Sequence, residues 1–191
     1  MHGTAFLGCY LFFNLLDQYL PPSDPPDKIY RILDVGSYDV NGNHRDIINL
    51  SEFGRRRYNY TGLDISTGFN VDVVVQGWAW NLETFDNQGF DIVITSSTLE
   101  HDPLFWVTFL NIVQVLNPGS SCICVYLCIC MCCYLYINPL TKRSSLDSLG
   151  LLRTIIIISG GMVYINVPSV SLLHRYPTDN YRFYADSGKS L

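Results

Sequence analysis

Charge is the first thing this sequence has little of: Asp, Glu, Lys and Arg together make up 15% of its 191 residues. What charge there is leans negative, with twelve Lys and Arg against seventeen Asp and Glu, a net −5. A protein that tracks nucleic-acid phosphates needs a basic surface, so nucleic acid is not expected as a partner. Disorder is excluded from the other side, because hydrophobic residues reach 48% and aromatic ones 14%. Dispersed cysteine is also missing. Six of the seven cysteines lie between Cys122 and Cys133, and only Cys9 lies elsewhere. Disulfide staples of a small secreted scaffold are spread along the chain, so that class does not fit. The cluster lacks the turn residues that fold thiolates round zinc, and no metal is expected. No Lys or Arg precedes the apolar N-terminal stretch and no small-residue cleavage site follows it, which favours a packed helix over a signal peptide. Internal repeats are absent, and the length predicts one domain over 1–191.

The elements present alternate. In the first twenty residues Phe6, Leu7, Tyr10, Leu11, Phe13 and Leu15 recur at helix-like spacing. The run from Pro21 to Asp27 holds four prolines and breaks any helix, so 1–28 reads as an N-terminal helix and a proline-rich linker. Five short apolar runs follow, each bounded by Gly, Asp or Ser: 30–35, 58–65, 71–75, 90–95 and 162–167. Such runs suit strands buried on both faces of a parallel sheet. The clearest helix is expected over 103–116, with Asp102 as N-cap, Pro103 at the first position, and Trp106, Phe109, Leu110 and Val113 as its apolar face. Alternating strands and helices predict an open, mostly parallel α/β sheet with right-handed crossovers and helices on both faces.

One stretch breaks the pattern. From Cys122 to Ile137 there is no charge at all, only Cys, Ile, Leu, Tyr, Val and Met with little else. Sixteen residues are nearly enough for a membrane span. After a polar stretch, 138–153, comes the isoleucine run Ile155 to Ile158. The 40 residues 120–159 are therefore expected to be an aberrant insertion between 29–119 and 160–191, which form the core. Such a detour between adjacent elements is expected either to extrude or to cross a membrane.

Ligands of parallel α/β sheets bind at the carboxyl ends of the strands. Three features fall there. The first is the loop from Asp34 through Gly36 and Ser37 to Gly42, where glycines allow a tight turn and close backbone approach. Its spacing is not the G-x-G-x-x-G that cradles a pyrophosphate, so a nucleoside without a diphosphate fits better than NAD. An ordinary Gly/Asn turn is the plainer reading. The second is Asp64, able to accept hydrogen bonds from two ribose hydroxyls, or to serve only as a helix cap. The third is Thr95 to Asp102, in which Glu100 and His101 can orient a ligand or move a proton, or simply be solvated.

These residues bring a family into view. The strings Ile32-Leu33-Asp34-Val35-Gly36-Ser37, Tyr60-Thr61-Gly62-Leu63-Asp64-Ile65, Phe90-Asp91-Ile92-Val93-Ile94, Leu99-Glu100-His101 and Val115-Leu116-Asn117-Pro118-Gly119 stand in order. In them the chain resembles class I S-adenosylmethionine-dependent methyltransferases of the small methyltransferase-domain type. His2-Gly3-Thr4-Ala5 with Phe12-Phe13 is similar to the family's N-terminal helix, and His174-Arg175-Tyr176-Pro177, Asp179 and Tyr181 to Tyr184 are similar to a late segment of one bacterial-type branch.

The resemblance implies a Rossmann-like fold, S-adenosylmethionine as cofactor, and in-line methyl transfer to a small-molecule acceptor. It also implies a cofactor site of Asp34, Gly36, Ser37, Asp64, Ile65, Asp72, Ser96 and Glu100. In that site the Gly36 loop takes the methionyl part, Asp64 the ribose, and Asp72 flanks the adenine. His174 is the expected proton acceptor, and Tyr176, Asp179, Tyr181, Arg182 and Tyr184 an acceptor site, with Arg175 and Arg182 suited to a phosphate or carboxylate. In the family the Asn-Pro-Gly turn leads at once into strand five, and the chain continues past the position of Leu191 into a last helix and an antiparallel strand pair. The insertion then reads as a translated intron. A cytoplasmic enzyme is the expectation; the alternatives are an inactive relative and a single-pass membrane protein with its span near 122–137.

Overall fold

Side chains alternate between two faces along three central strands, and that alternation builds two cores back to back. The computed structural model describes residues 3–16, 20, 24–77, 80, 82, 85, 89–117, 124–128, 154–156, 162–168 and 178–183. The central strands are β1 (Tyr30–Val35), β4 (Ile92–Ser96) and β7 (Met162–Val167). On one face Tyr30, Ile32, Ile92, Ile94, Met162 and Tyr164 meet the helices α1 (Gly3–Leu15) and α2 (His44–Leu50). Those helices contribute Cys9, Phe12, Phe13, Ile47 and Ile48, joined by Phe53 from the 3-10 turn Glu52–Arg55. The Phe12 ring stacks on Tyr164 at 5.1 Å and Phe13 tilts against Phe53 at 5.6 Å. On the other face Leu33, Val35, Val93, Val163, Ile165 and Val167 pack on Phe109 and Ile112 of α3 (Phe105–Gln114).

With β2 (Tyr58–Asp64), β3 (Val73–Val74), β5 (Cys124–Cys128) and β6 (Thr154–Ile156), the sheet runs β3-β2-β1-β4-β7-β5-β6. All neighbours are parallel except β5 and β6. The chain winds outward from β1 to β3, then returns to β4 on the other side of β1, so strand order reverses between β1 and β4. With helices on both faces this is the Rossmann-like, doubly wound arrangement, as the alternating pattern predicts.

Several elements differ from expectation. Strand three shrinks from 71–75 to two residues, because Asp72 turns its carboxylate onto the Gly62 N–H and Val71 closes a turn onto Gly68. Strand four begins at Ile92, with Phe90 reduced to a bridge to Leu116. Helix α3 starts at Phe105, two residues after the expected Pro103. Asp102 is not its N-cap by position; it accepts the Leu104 N–H at 2.8 Å and also the Thr108 hydroxyl. The expected apolar face is rotated too: Trp106 and Leu110 are 45% and 57% exposed, whereas Thr108, Phe109 and Ile112 are buried. The helix carries no charge and is apolar nearly all round, so periodicity alone does not select a face, and the Asp102–Thr108 hydrogen bond draws Thr108 inward.

The stretch 120–159 neither leaves the sheet at its described strands nor forms a helix there. Cys124–Cys128, inside the expected membrane span, pairs in parallel with β7 from Cys124↔Val163 to Cys128↔Val167, and β6 adds to it antiparallel. No helix among the described residues is long and apolar enough to cross a membrane.

Candidate functional site

The site forms where strand order reverses, at the carboxyl ends of β1 and β4. β1 ends in Gly36, whose φ of +84° places it in the left-handed region that favours glycine. Its N–H and that of Ser37 both donate to the Leu63 carbonyl of β2, at 2.9 and 3.0 Å. A Cβ on Gly36 would lie 2.0 Å from the Thr98 Oγ1, so the loop after β1 seats directly on the loop after β4. Ser37 is buried and its hydroxyl has no partner among the described residues.

Farther on, the loop organises its own exit. Asp39 accepts the Gly42 N–H at 2.6 Å and the Asn43 amide at 2.8 Å, and Asn43 caps α2 through the Asp46 N–H at 2.9 Å.

Asp64, at the end of β2, joins two loops. Its Oδ2 accepts the Tyr38 N–H and its Oδ1 the Ser66 N–H, each at 3.0 Å. Burial pushes its carboxyl up, opposed by the N–H groups of Tyr38, Ser66 and Ile65. Ile65 beside it packs against the α3-side core. Each carboxylate oxygen can accept more than one donor, so Asp64 keeps capacity for a further hydroxyl after serving the loops. Asp72 is engaged differently. Its Oδ2 takes the Gly62 N–H and the Arg45 guanidinium, both at 2.7 Å, and so braces β2 against α2.

Asp34 points to the opposite face. It is fully buried, and its Oδ2 accepts the His44 Nδ1–H at 2.8 Å and the Tyr60 hydroxyl. Burial, then the Asp34 charge, pushes both the Cys9 thiol and the Tyr60 phenol up. Asp34 therefore lies beneath the Gly36 loop, in the α1–α2 core, rather than at its mouth.

At the end of β4, Ser96 Oγ accepts the Asn166 amide at 3.0 Å, and the Asn166 carbonyl accepts the Ser97 N–H at 2.8 Å. Glu100 follows. It is 0% exposed, and neither carboxylate oxygen has a hydrogen-bond partner among the described residues. The His101 Nε2 is 3.8 Å from Oε1. Burial pushes the Glu100 carboxyl up to about 8, a value suited to proton exchange near neutrality.

Of the expected acceptor-side residues, Asp179, Tyr181 and Arg182 are described. Arg182 grips both oxygens of Asp179, and the Tyr181 hydroxyl donates to the Pro103 carbonyl at 3.0 Å. His174, Arg175, Tyr176 and Tyr184 lie outside the described residues. Sequence reasoning missed His44, Tyr60, Thr98 and Asn166. Asn166 did carry a signal: it is the one amide in the otherwise apolar run 162–167, near a strand's carboxyl end.

No protein-family model matches this sequence, and no curated protein matches it. Among solved structures, the chain is similar to the CurJ carbon methyltransferase, with 16% identity and a TM-score of 0.43 over 56% of this chain and 32% of that one. It is also similar to the MycE methyltransferase of the mycinamycin biosynthetic pathway, in complex with Mg, SAH and mycinamycin VI. There the identity is 21% and the TM-score 0.40, over 63% of this chain and 36% of that one. The chain thus spans about one third of the length of each.

Proposed function

We propose that this chain is a class I methyltransferase that binds S-adenosylmethionine at the β1–β4 reversal and methylates a small-molecule acceptor. The observation that carries the reading is Asp64 set beside the Gly36 loop. A buried carboxylate at the end of β2, fixed by amides of both flanking loops, is placed to accept the hydroxyls of one ribose. Gly36 keeps the turn free of a side chain, and the unpartnered Ser37 hydroxyl is a donor in want of an acceptor. Nothing in this loop resembles a diphosphate cradle, which favours a single nucleoside over NAD.

The cofactor supplies a methyl group on a sulfonium, with a neutral thioether as leaving group. The protein's task is then to hold two partners in line and keep water out. Asp64 fixes the ribose, and the Gly36 loop and Ser37 fix the amino-acid end. Ser96 and Glu100 line the side toward the acceptor, with Asp72 and Ile65 toward the base. Asp34, by its position, acts from beneath by holding α2 and the loop that α2 ends. An acceptor bearing O–H or N–H must lose a proton, and His174 is the residue assigned to take it. The site is carried by 29–119 with 160–191, and 120–159 is read as an insertion whose described strands, β5 and β6, extend the sheet beyond β7.

Calorimetric titration with S-adenosylmethionine and, separately, with NAD tests the assignment. Saturable binding of the first alone supports it, and equal binding of NAD overturns it. Replacing His174 by Ala is expected to lower turnover with cofactor affinity unchanged. Equal turnover in the variant and the parent removes His174 from the mechanism.

A further inference from the structure

Past the end of β4 the chain buries an acid and then ties a second stretch of chain over it. Segment 178–183 crosses the loop that carries Glu100, and its ties converge on that residue and its neighbours. Backbone N–H groups of Asn180 and Tyr181 donate to the Glu100 carbonyl at 2.8 and 3.1 Å. The Asn180 amide and the Thr178 hydroxyl donate to the His101 carbonyl at 2.8 and 3.1 Å. Phe183 anchors the far end, with its N–H on the Pro168 carbonyl at 3.0 Å and its ring 5.0 Å from Phe105.

Beside these ties the Glu100 carboxyl meets no hydrogen-bond partner from another described residue, and its own N–H opposes the upward push of burial. Among the described residues, the charged and titratable groups that face it are His101 on its own loop, and Asp179 and Arg182 on the segment. Arg182 already holds Asp179, whose side chain is itself 0% exposed. Swinging Arg182 over to Glu100 would break its grip on both oxygens of Asp179, so the exchange trades one buried pairing for another. An uncharged carboxyl tolerates such a place, whereas an ionised one without donors does not. Water supplies those donors once the segment lifts.

We propose that 178–183 is a strap over the Glu100 carboxyl, closed while that group is uncharged and released when it ionises. Closed, burial holds the carboxyl up to about 8; open, it returns to the ordinary glutamate value of 4.5. Opening therefore releases a proton. The opening equilibrium rises with pH between those two values by up to about tenfold per pH unit, then levels off. The strap stands apart from the methyl-transfer reading, since it needs no ligand.

NMR-detected amide exchange on the full chain from pH 5 to pH 9, corrected for intrinsic base catalysis, tests it. Protection at Asn180 and Tyr181 is expected to fall steeply up to about pH 8 while Phe109 and Ile112 in α3 keep theirs. In E100Q the strap amides are expected to stay protected throughout. Constant protection in the parent, a parallel loss in α3, or an E100Q profile identical to the parent's overturns the proposal. If E100Q does not fold, the comparison of strap with α3 in the parent decides by itself.

Discussion

Two buried carboxylates, one on the edge of each core, make opposite use of the same environment. Asp34 and Glu100 are both 0% exposed, on neighbouring strands or the loop just beyond. Asp34 is met at Oδ2 by His44 of α2 and Tyr60 of β2, while its Oδ1 has no partner among the described residues. Glu100 is met by no donor from another described residue, its own N–H opposing the upward push of burial, under a strap that bonds to its main chain instead. The difference separates a carboxylate that holds the fold from one kept in reserve. A buried acid with partners is structural, and an acid without them is a group whose ionisation must be coupled to something that moves or binds.

The largest effect should come from breaking the partnered side. Asp34→Ala leaves two buried donors, from His44 and Tyr60, without their acceptor, and is expected to cost about 3–5 kcal/mol of stability. Urea unfolding measures this, and a loss below about 1 kcal/mol would make the two sites alike. On the unpartnered side the sign reverses with pH. A carboxyl pushed up on folding favours the folded state below its unfolded pKa, and that favour is lost as pH rises through the folded value, between about 4.5 and 8. Glu100→Gln is therefore expected to be near neutral at pH 5 and stabilising at pH 9, on the order of 3 kcal/mol. Equal unfolding midpoints for variant and parent at both pH values would contradict it. Smaller still is Gly36→Ala, between the two sites. A positive φ and a Cβ 2.0 Å from Thr98 Oγ1 are expected to cost about 1–3 kcal/mol, and a crystal structure of the variant should show the β4 loop displaced.

How legible was this in the sequence? The strands β1, β2, β4 and β7 and the α/β class follow from apolar runs punctuated by Gly and Asp, because strands buried on both faces leave no other pattern. The placement of Gly36 and Asp64 at strand ends was legible for the same reason, since the apolar runs stop there. The roles of Asp34 and Asp72 were not. Their types fit a ligand site equally well, and only the side-chain directions show the further bracing: Asp34 is turned by the period of two along β1 toward His44, and Asp72, in the bend before β3, is held by Arg45 of α2. The α3 face failed where polarity was too sparse to mark one side, and β5 escaped because an uncharged run of strand length also reads as part of a span. Glu100 was named, but the segment that ties over its loop lies 77 or more residues later in sequence, which no local pattern reports.

The claim on which the account rests is that Asp64 holds a nucleoside at the β1–β4 reversal. Calorimetric titration of S-adenosylmethionine into the parent chain and into Asp64→Ala tests it most directly. Saturable binding by the parent is predicted, weakened in the variant by about 1.5–3 kcal/mol, roughly ten- to a hundredfold in Kd, while the variant's unfolding midpoint shows that it still folds. A folded variant with the parent's Kd would contradict the account.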